Sequence, residues 1–231
     1  MSETKIGWTY VESVSSSIFH PPQLLSDLQK NKKGGVADCP AVNHFEQRVY
    51  TVLSPYSFRI KATRNNGGWV FQPVYPGTDV AEDRLNSLLQ FQPVNLWRTS
   101  DRPILQLVLP YVFFSDEVVY LNQLDATQVV RNKNWSVIQG RFNIYDWQRP
   151  INWSIEWMDT SSDLVVRRGQ PLFQLLFETK EHQDKISLVY VKKTEELGEL
   201  IDAASGVSKL VKGTFGVMKK QGALRKGNLI K

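Results

Sequence analysis

A chain of 231 residues, 42% of them hydrophobic, is long enough to bury a substantial core as one domain. Its single cysteine, Cys39, excludes an intramolecular disulfide and a cysteine-only metal site, and fits a reducing cytoplasm. The net charge of +5 is unevenly spread: residues 206–231 carry seven basic residues and no acidic one, leaving 21 basic against 23 acidic residues in the rest. The body is thus near −2 and the tail +7, so the basic character belongs to the tail and not to a groove in the domain.

Residues 1–38 read as an N-terminal arm. A serine patch, Ser13 and Ser15 to Ser17, comes before Pro21-Pro22. Leu24, Leu25 and Leu28 then suggest a short amphipathic helix, closed by Lys30, Lys32, Lys33, Gly34 and Gly35. From Cys39 to about residue 192 the pattern is that of a β-domain. Arg48 to Leu53 is a predicted strand, and Phe58-Arg59-Ile60-Lys61-Ala62 alternates cleanly. Asn65-Asn66-Gly67-Gly68 predicts a hairpin turn, because Asn and Gly tolerate the positive φ that tight turns require. Further strands are predicted over 88–94, 104–109, 118–121, 137–145, 151–158, 172–178 and 186–191. Ile151, Trp153, Ile155 and Trp157 share one face of theirs, so both indoles belong in the core.

About nine or ten short strands with few helix signals predict an all-β fold, an antiparallel sandwich or jelly roll. Residues 193–231 form the third part, a C-terminal helix and basic tail. Thr194-Glu195-Glu196-Leu197 starts the helix, with acids near the positive end of its dipole. Gly206, Gly213 and Gly216 weaken it beyond Ala204, each by about 1 kcal/mol relative to alanine.

Chemistry-bearing patterns are few. His44 and Glu46 have a spacing that puts two side chains on one strand face, but no third metal ligand is nominated, so no metal or cofactor is expected. There is no G-x-S-x-G, P-loop or dinucleotide fingerprint. Asp146-Trp147-Gln148-Arg149-Pro150 lies between strands and joins an acid, an indole and a cation. It could hold a polar ligand, or Asp146 could cap a turn under a packed Trp147. Arg167-Arg168-Gly169 is a second basic turn. Asp146, Trp147, Arg149, Arg167 and Arg168 are the candidate ligand-binding residues. Lys209, Lys212, Lys219, Lys220, Arg225 and Lys226 are the candidate anion-binding residues of the tail.

The run Gly169-Gln170-Pro171-Leu172-Phe173-Gln174-Leu175-Leu176-Phe177 resembles a strand of the trimeric dUTPase and dCTP-deaminase proteins; that family's nucleotide-binding motifs are not found in this chain. A broader resemblance spans residues 39 to about 180. Cys39-Pro40, Leu53-Ser54-Pro55-Tyr56-Ser57-Phe58, Leu109-Pro110-Tyr111-Val112-Phe113, Asp146-Trp147 and Arg167 to Phe177 are similar in order to an uncharacterised family encoded by tailed phages, often marine, and some bacteria. It implies a phage-associated protein and supplies no catalytic residue.

The function expected from these features is non-enzymatic: a β-domain acting through protein–protein contacts or self-association, structural or assembly-associated in a phage. The alternatives are a small-molecule, nucleotide-like enzyme or binder, and nucleic-acid attachment through the basic tail. No signal-peptide pattern or transmembrane run is present, so the expected location is the host cytoplasm or the virion.

Overall fold

The computed structural model describes residues 3–12, 18–29, 34–127, 129–130, 133–151, 153–181, 185–205, 207 and 212–230. The chain opens with β1 (Glu3–Tyr10). A two-residue strand, β2 (Gln23–Leu24), runs into α1 (Leu25–Leu28), and α2 (Pro40–Glu46) follows. Then come β3 (Val49–Leu53), β4 (Phe58–Asn65), β5 (Gly68–Pro73), α3 (Glu82–Leu88), β6 (Leu89–Phe91), β7 (Ile104–Leu107) and β8 (Tyr111–Ser115). They lead to β9 (Tyr120–Asp125), β10 (Trp135–Val137), β11 (Gly140–Asn143), β12 (Trp153–Trp157), β13 (Leu164–Val166), β14 (Pro171–Glu178) and β15 (Lys185–Tyr190). The last elements are α4 (Glu195–Ser205) and α5 (Thr214–Gly222).

The fold is mostly β. Fifteen described strands exceed the nine or ten expected: β1 and β8 fall outside the predicted stretches, and β2, β10 and β13 are only two or three residues long, too short to show alternation. The strands form four sheets, in the orders β15-β1-β8, β10-β12-β7-β6, β11-β9-β14-β3-β2 and β13-β4-β5. Described pairings are antiparallel except β1 with β15. Inward faces of all four sheets supply one main aromatic and aliphatic cluster.

The strand carrying the tryptophans behaves as its alternation predicts. Trp153 and Trp157 are fully buried, and Trp153 stacks on Phe173 with ring centroids 4.0 Å apart. The Asn65–Gly68 turn closes the β4–β5 hairpin with Asn66 at φ 46° and Gly67 at φ 82°, the left-handed pair that two-residue hairpin turns need.

Residues 3–10 correct the reading of an N-terminal arm. β1 is the middle strand of its sheet, bonded to β15 on one side and β8 on the other. Its place depends on partners that lie more than a hundred residues away in sequence. Residues 18–20 are also tied down. The Tyr10 hydroxyl donates to the Phe19 carbonyl at 2.8 Å, and the Tyr111 hydroxyl to the His20 carbonyl at 2.6 Å. Burial pushes the Tyr10 phenol up to about 12. The serines 13 and 15–17 lie outside the described residues.

Two further expectations need correction. Residues 40–46 are helical, with Pro40 at the helix start, where its fixed φ suits the first turn. His44 and Glu46 therefore sit on a helix, about 200° apart around its axis, and share no strand face. Leu88 ends a helix, and the strand expected to run to Val94 stops at Phe91. Leu85 and Leu88 are buried at helical spacing, a three-residue period that outcompetes strand propensity there.

β8 is buried on both faces. Tyr111 and Phe113 enter the main cluster, while Val112 and Phe114 face a second, smaller one with Leu197, Leu200, Ile201 and Leu229. α4 starts at the expected point: the Leu197 amide donates to Thr194 Oγ1 at 3.2 Å. Its apolar stripe thus covers the sheet's outer face. Opposite Phe114 in register stands Gly7, where an added Cβ would lie 2.3 Å from the ring. Only glycine leaves room for the Phe114 ring against β1 at this point.

Candidate functional site

The candidate residues fall into two separate places. The loop after β11 holds Asp146, Trp147 and Arg149, and the tail folds against it. Asn143 begins the loop with a local turn: its Oδ1 accepts from the Tyr145 amide at 3.2 Å, and its Nδ2 donates to Asp146 at 2.8 Å. Gln148 Nε2 donates to the Tyr145 carbonyl. Trp147 is buried, with its ring 5.2 Å from Phe142 and 5.3 Å from Phe215 of α5. Trp147 is thus packed, and the Tyr145 amide of the turn is capped by Asn143, whose side-chain amide also donates to Asp146.

α5 closes over the same loop. Met218 and Gly222 face inward, and a Cβ on Gly222 would lie 2.8 Å from the Asp146 carboxylate. Burial pushes the Asp146 carboxyl above its ordinary range; Lys219 and the Asn143 amide oppose that rise. Beyond α5, Arg225 lies over the Tyr145 ring at 4.9 Å and pairs with Asp116. Asp116 also accepts from the Leu229 and Ile230 amides at 2.7 and 3.1 Å.

The described tail is therefore not a projecting basic segment. Met218 and Leu229 are buried, and Arg225 is consumed by an internal ion pair. Lys212, Lys219, Lys220 and Lys226 remain exposed, Lys226 within 3.9 Å of Glu199. Lys209 lies outside the described residues.

Arg149 differs from its loop neighbours. Its side chain is drawn inside, and Nη1 donates to the Val207 carbonyl at 2.8 Å. The guanidinium lies 5.8 Å from the Trp147 ring centroid. Burial pushes its pKa down. It lines a cleft of about 380 Å³ with residues from β1's end, α3, α4 and the loop after β7.

Arg167 and Arg168 lie elsewhere, in the turn between β13 and β14. Gly169 at φ 75° makes that turn, and Gln170 Oε1 accepts from the Arg167 amide at 3.0 Å. Arg168 Nε donates to the Pro55 carbonyl at 2.9 Å and lies 3.9 Å from Asp79. Both arginines line a cleft of about 670 Å³ that shares no residue with the one beside Arg149. Its walls include Lys133, which sequence reasoning missed. Lys133 pairs with Asp125 and lies 3.8 Å from the Trp135 ring centroid. Burial pushes its ammonium pKa down, and Asp125 opposes that shift. Asp163, also on the wall, is held by Arg59 at 2.5 Å. Most charges here already have partners, so the cleft offers less unmet demand than its size suggests.

Among the described residues there is no cluster of three or more His, Cys, Asp or Glu side chains placed to hold a metal ion. No described helix is long and apolar enough to cross a membrane.

No family model matches this chain, and no curated protein matches it. Among solved structures, a mutant dUTPase of Staphylococcus bacteriophage 80alpha is similar at a TM-score of 0.35 and 7% identity, over 82% of this chain and 96% of that one.

Proposed function

We propose that the protein is a non-enzymatic β-domain that assembles through contacts between its C-terminal helix and the body of a second copy. The observation that carries this reading is the outward side of α5. The helix is anchored by Met218 and Gly222, with Phe215 against Trp147, yet Val217 and, just past the helix end, Leu224 are 44% and 64% exposed. Lys219 and Lys220 stand beside them, also exposed. A firmly seated helix that presents apolar and basic groups together fits a partner with an apolar centre and an acidic rim. The first 205 residues carry slightly more acid than base, so another copy's body has the complementary sign. Tail-to-body contact is heterologous and builds rings or open chains. The resemblance to a phage-encoded family adds virion assembly as the setting.

The test is molar mass by light scattering across protein concentration and salt. The expected result is a larger species that dissociates in high salt, since exposed charges are screened within about 8–10 Å at physiological ionic strength. It should disappear in Val217→Ser/Leu224→Ser and in Lys219→Glu/Lys220→Glu, with melting unchanged. A monomer under all conditions overturns the self-contact. Salt-sensitive binding of that monomer to duplex DNA would favour nucleic-acid attachment through the tail. Turnover of nucleoside triphosphates, dUTP and dCTP included, lost on changing Asp146 or Arg167, would favour the enzyme reading.

A further inference from the structure

Arg149 presents an electrostatic problem that the other described residues do not solve. Its residue is 3% exposed, and buried charges are ordinarily paired because an isolated ion loses its hydration without compensation. A guanidinium has five N–H donors. Among the described residues, one carbonyl, that of Val207, accepts from it, and an indole lies alongside. No described carboxylate forms an ion pair with it. Two other cations with buried side chains, Lys133 and Arg225, each have an aspartate, and buried Arg48 donates to the Phe177 carbonyl and to Thr179.

The cleft that Arg149 lines has the build of a small-molecule site. Its volume of about 380 Å³ falls within the roughly 300–1,000 Å³ of ligand pockets. Phe19, Leu88, Leu109 and Ile201 give it apolar walls, and all four belong to the buried core. Arg84 adds a second cation among its lining residues. Glu12 and Asp202 also line it, and neither pairs with Arg149.

We propose that this cleft binds a small organic oxyanion, a carboxylate or phosphate ester with an apolar body, whose charged head pairs with Arg149. The planar guanidinium fork matches two coplanar oxygens of either head group. The apolar body would lie along Phe19, Leu88 and Ile201, replacing water over hydrophobic walls. The site is independent of the outward face of α5, so it stands or falls separately from the assembly reading.

The experiment is calorimetric titration of the full chain with octanoate, octyl phosphate and octanol, three probes that share one apolar body. One or both anions should bind at a single site per chain, at least about ten-fold more tightly than octanol. The stronger of the two anions assigns the head group. Arg149→Met should abolish the preference for the anion. Val108→Trp, placed at a cleft residue that is 38% exposed, crowds the cleft while leaving the guanidinium in place. It should weaken both anions by a similar factor, and it decides the question if Arg149→Met fails to fold. Equal affinity for octanol, binding unchanged in either variant, or no binding of either anion to folded wild-type protein overturns the proposal.

Discussion

Arg225 and Arg149 are two buried arginines beside the same loop, and they keep opposite company. Arg225 is 5% exposed in its side chain and fully engaged. It pairs with Asp116, donates to the Ser115 carbonyl at 2.6 Å and to the Gly227 carbonyl at 2.8 Å, and lies over Tyr145. Among the described residues, Arg149 has the Val207 carbonyl, an indole ring 5.8 Å away and an open cleft. A buried charge surrounded by its own acceptors is a structural fastener. A buried charge without a counterion leaves a demand that a ligand can meet. The difference separates the part of the tail that holds the fold together from the part of the loop that is free to act.

The largest effects should come from structural fasteners. Trp157→Ala sets the scale, since it empties a fully buried indole site and should cost roughly 3–5 kcal/mol. Asp116→Ala should approach that cost, about 3–5 kcal/mol in urea unfolding, because it strands the Arg225 charge and two backbone amides. The comparison breaks if Arg149→Met costs as much. Its expected cost is at most about 1 kcal/mol, the Val207 carbonyl losing a donor while a desolvated charge is removed. A large cost there would make Arg149 a second fastener.

Gly7→Ala probes the surface on which α4 and the chain end rest. Its methyl would intrude on Phe114, and such overpacking costs about 1–3 kcal/mol. Thermal melting should show that loss; a melt like that of wild type would mean that the Phe114 ring turns away freely.

The smallest effect concerns pH. Burial raises the Asp146 carboxyl pKa, so between its ordinary and raised values the folded chain holds a proton that the unfolded chain has released. Stability should therefore fall as pH rises through that interval, and be fully present below it. Asp146→Asn should flatten the slope in melts followed across acidic pH. An unchanged slope would place the titration on another group.

The sequence by itself determined the class of the fold and much of its local grammar. Strict alternation from Ile151 to Trp157 requires one buried face, and Asn66-Gly67 supplies a turn that few other pairs can make. Thr194 before two glutamates starts a helix for reasons confined to one turn. These are short-range effects, readable wherever the period has room to repeat. Tertiary structure decided what depends on distant partners. Nothing local in Glu3–Tyr10 says that β8 and β15 will enclose it, and nothing near Arg225 says that Asp116 will neutralise it. The split of the candidate residues has the same origin. Asp146, Trp147 and Arg149 lie within four consecutive residues, yet the fold sets the first against Asn143, packs the second between Phe142 and Phe215, and places the third at a cleft. That cleft's other walls come from α3, α4 and the end of β1, elements brought together only when the sheets close around one core.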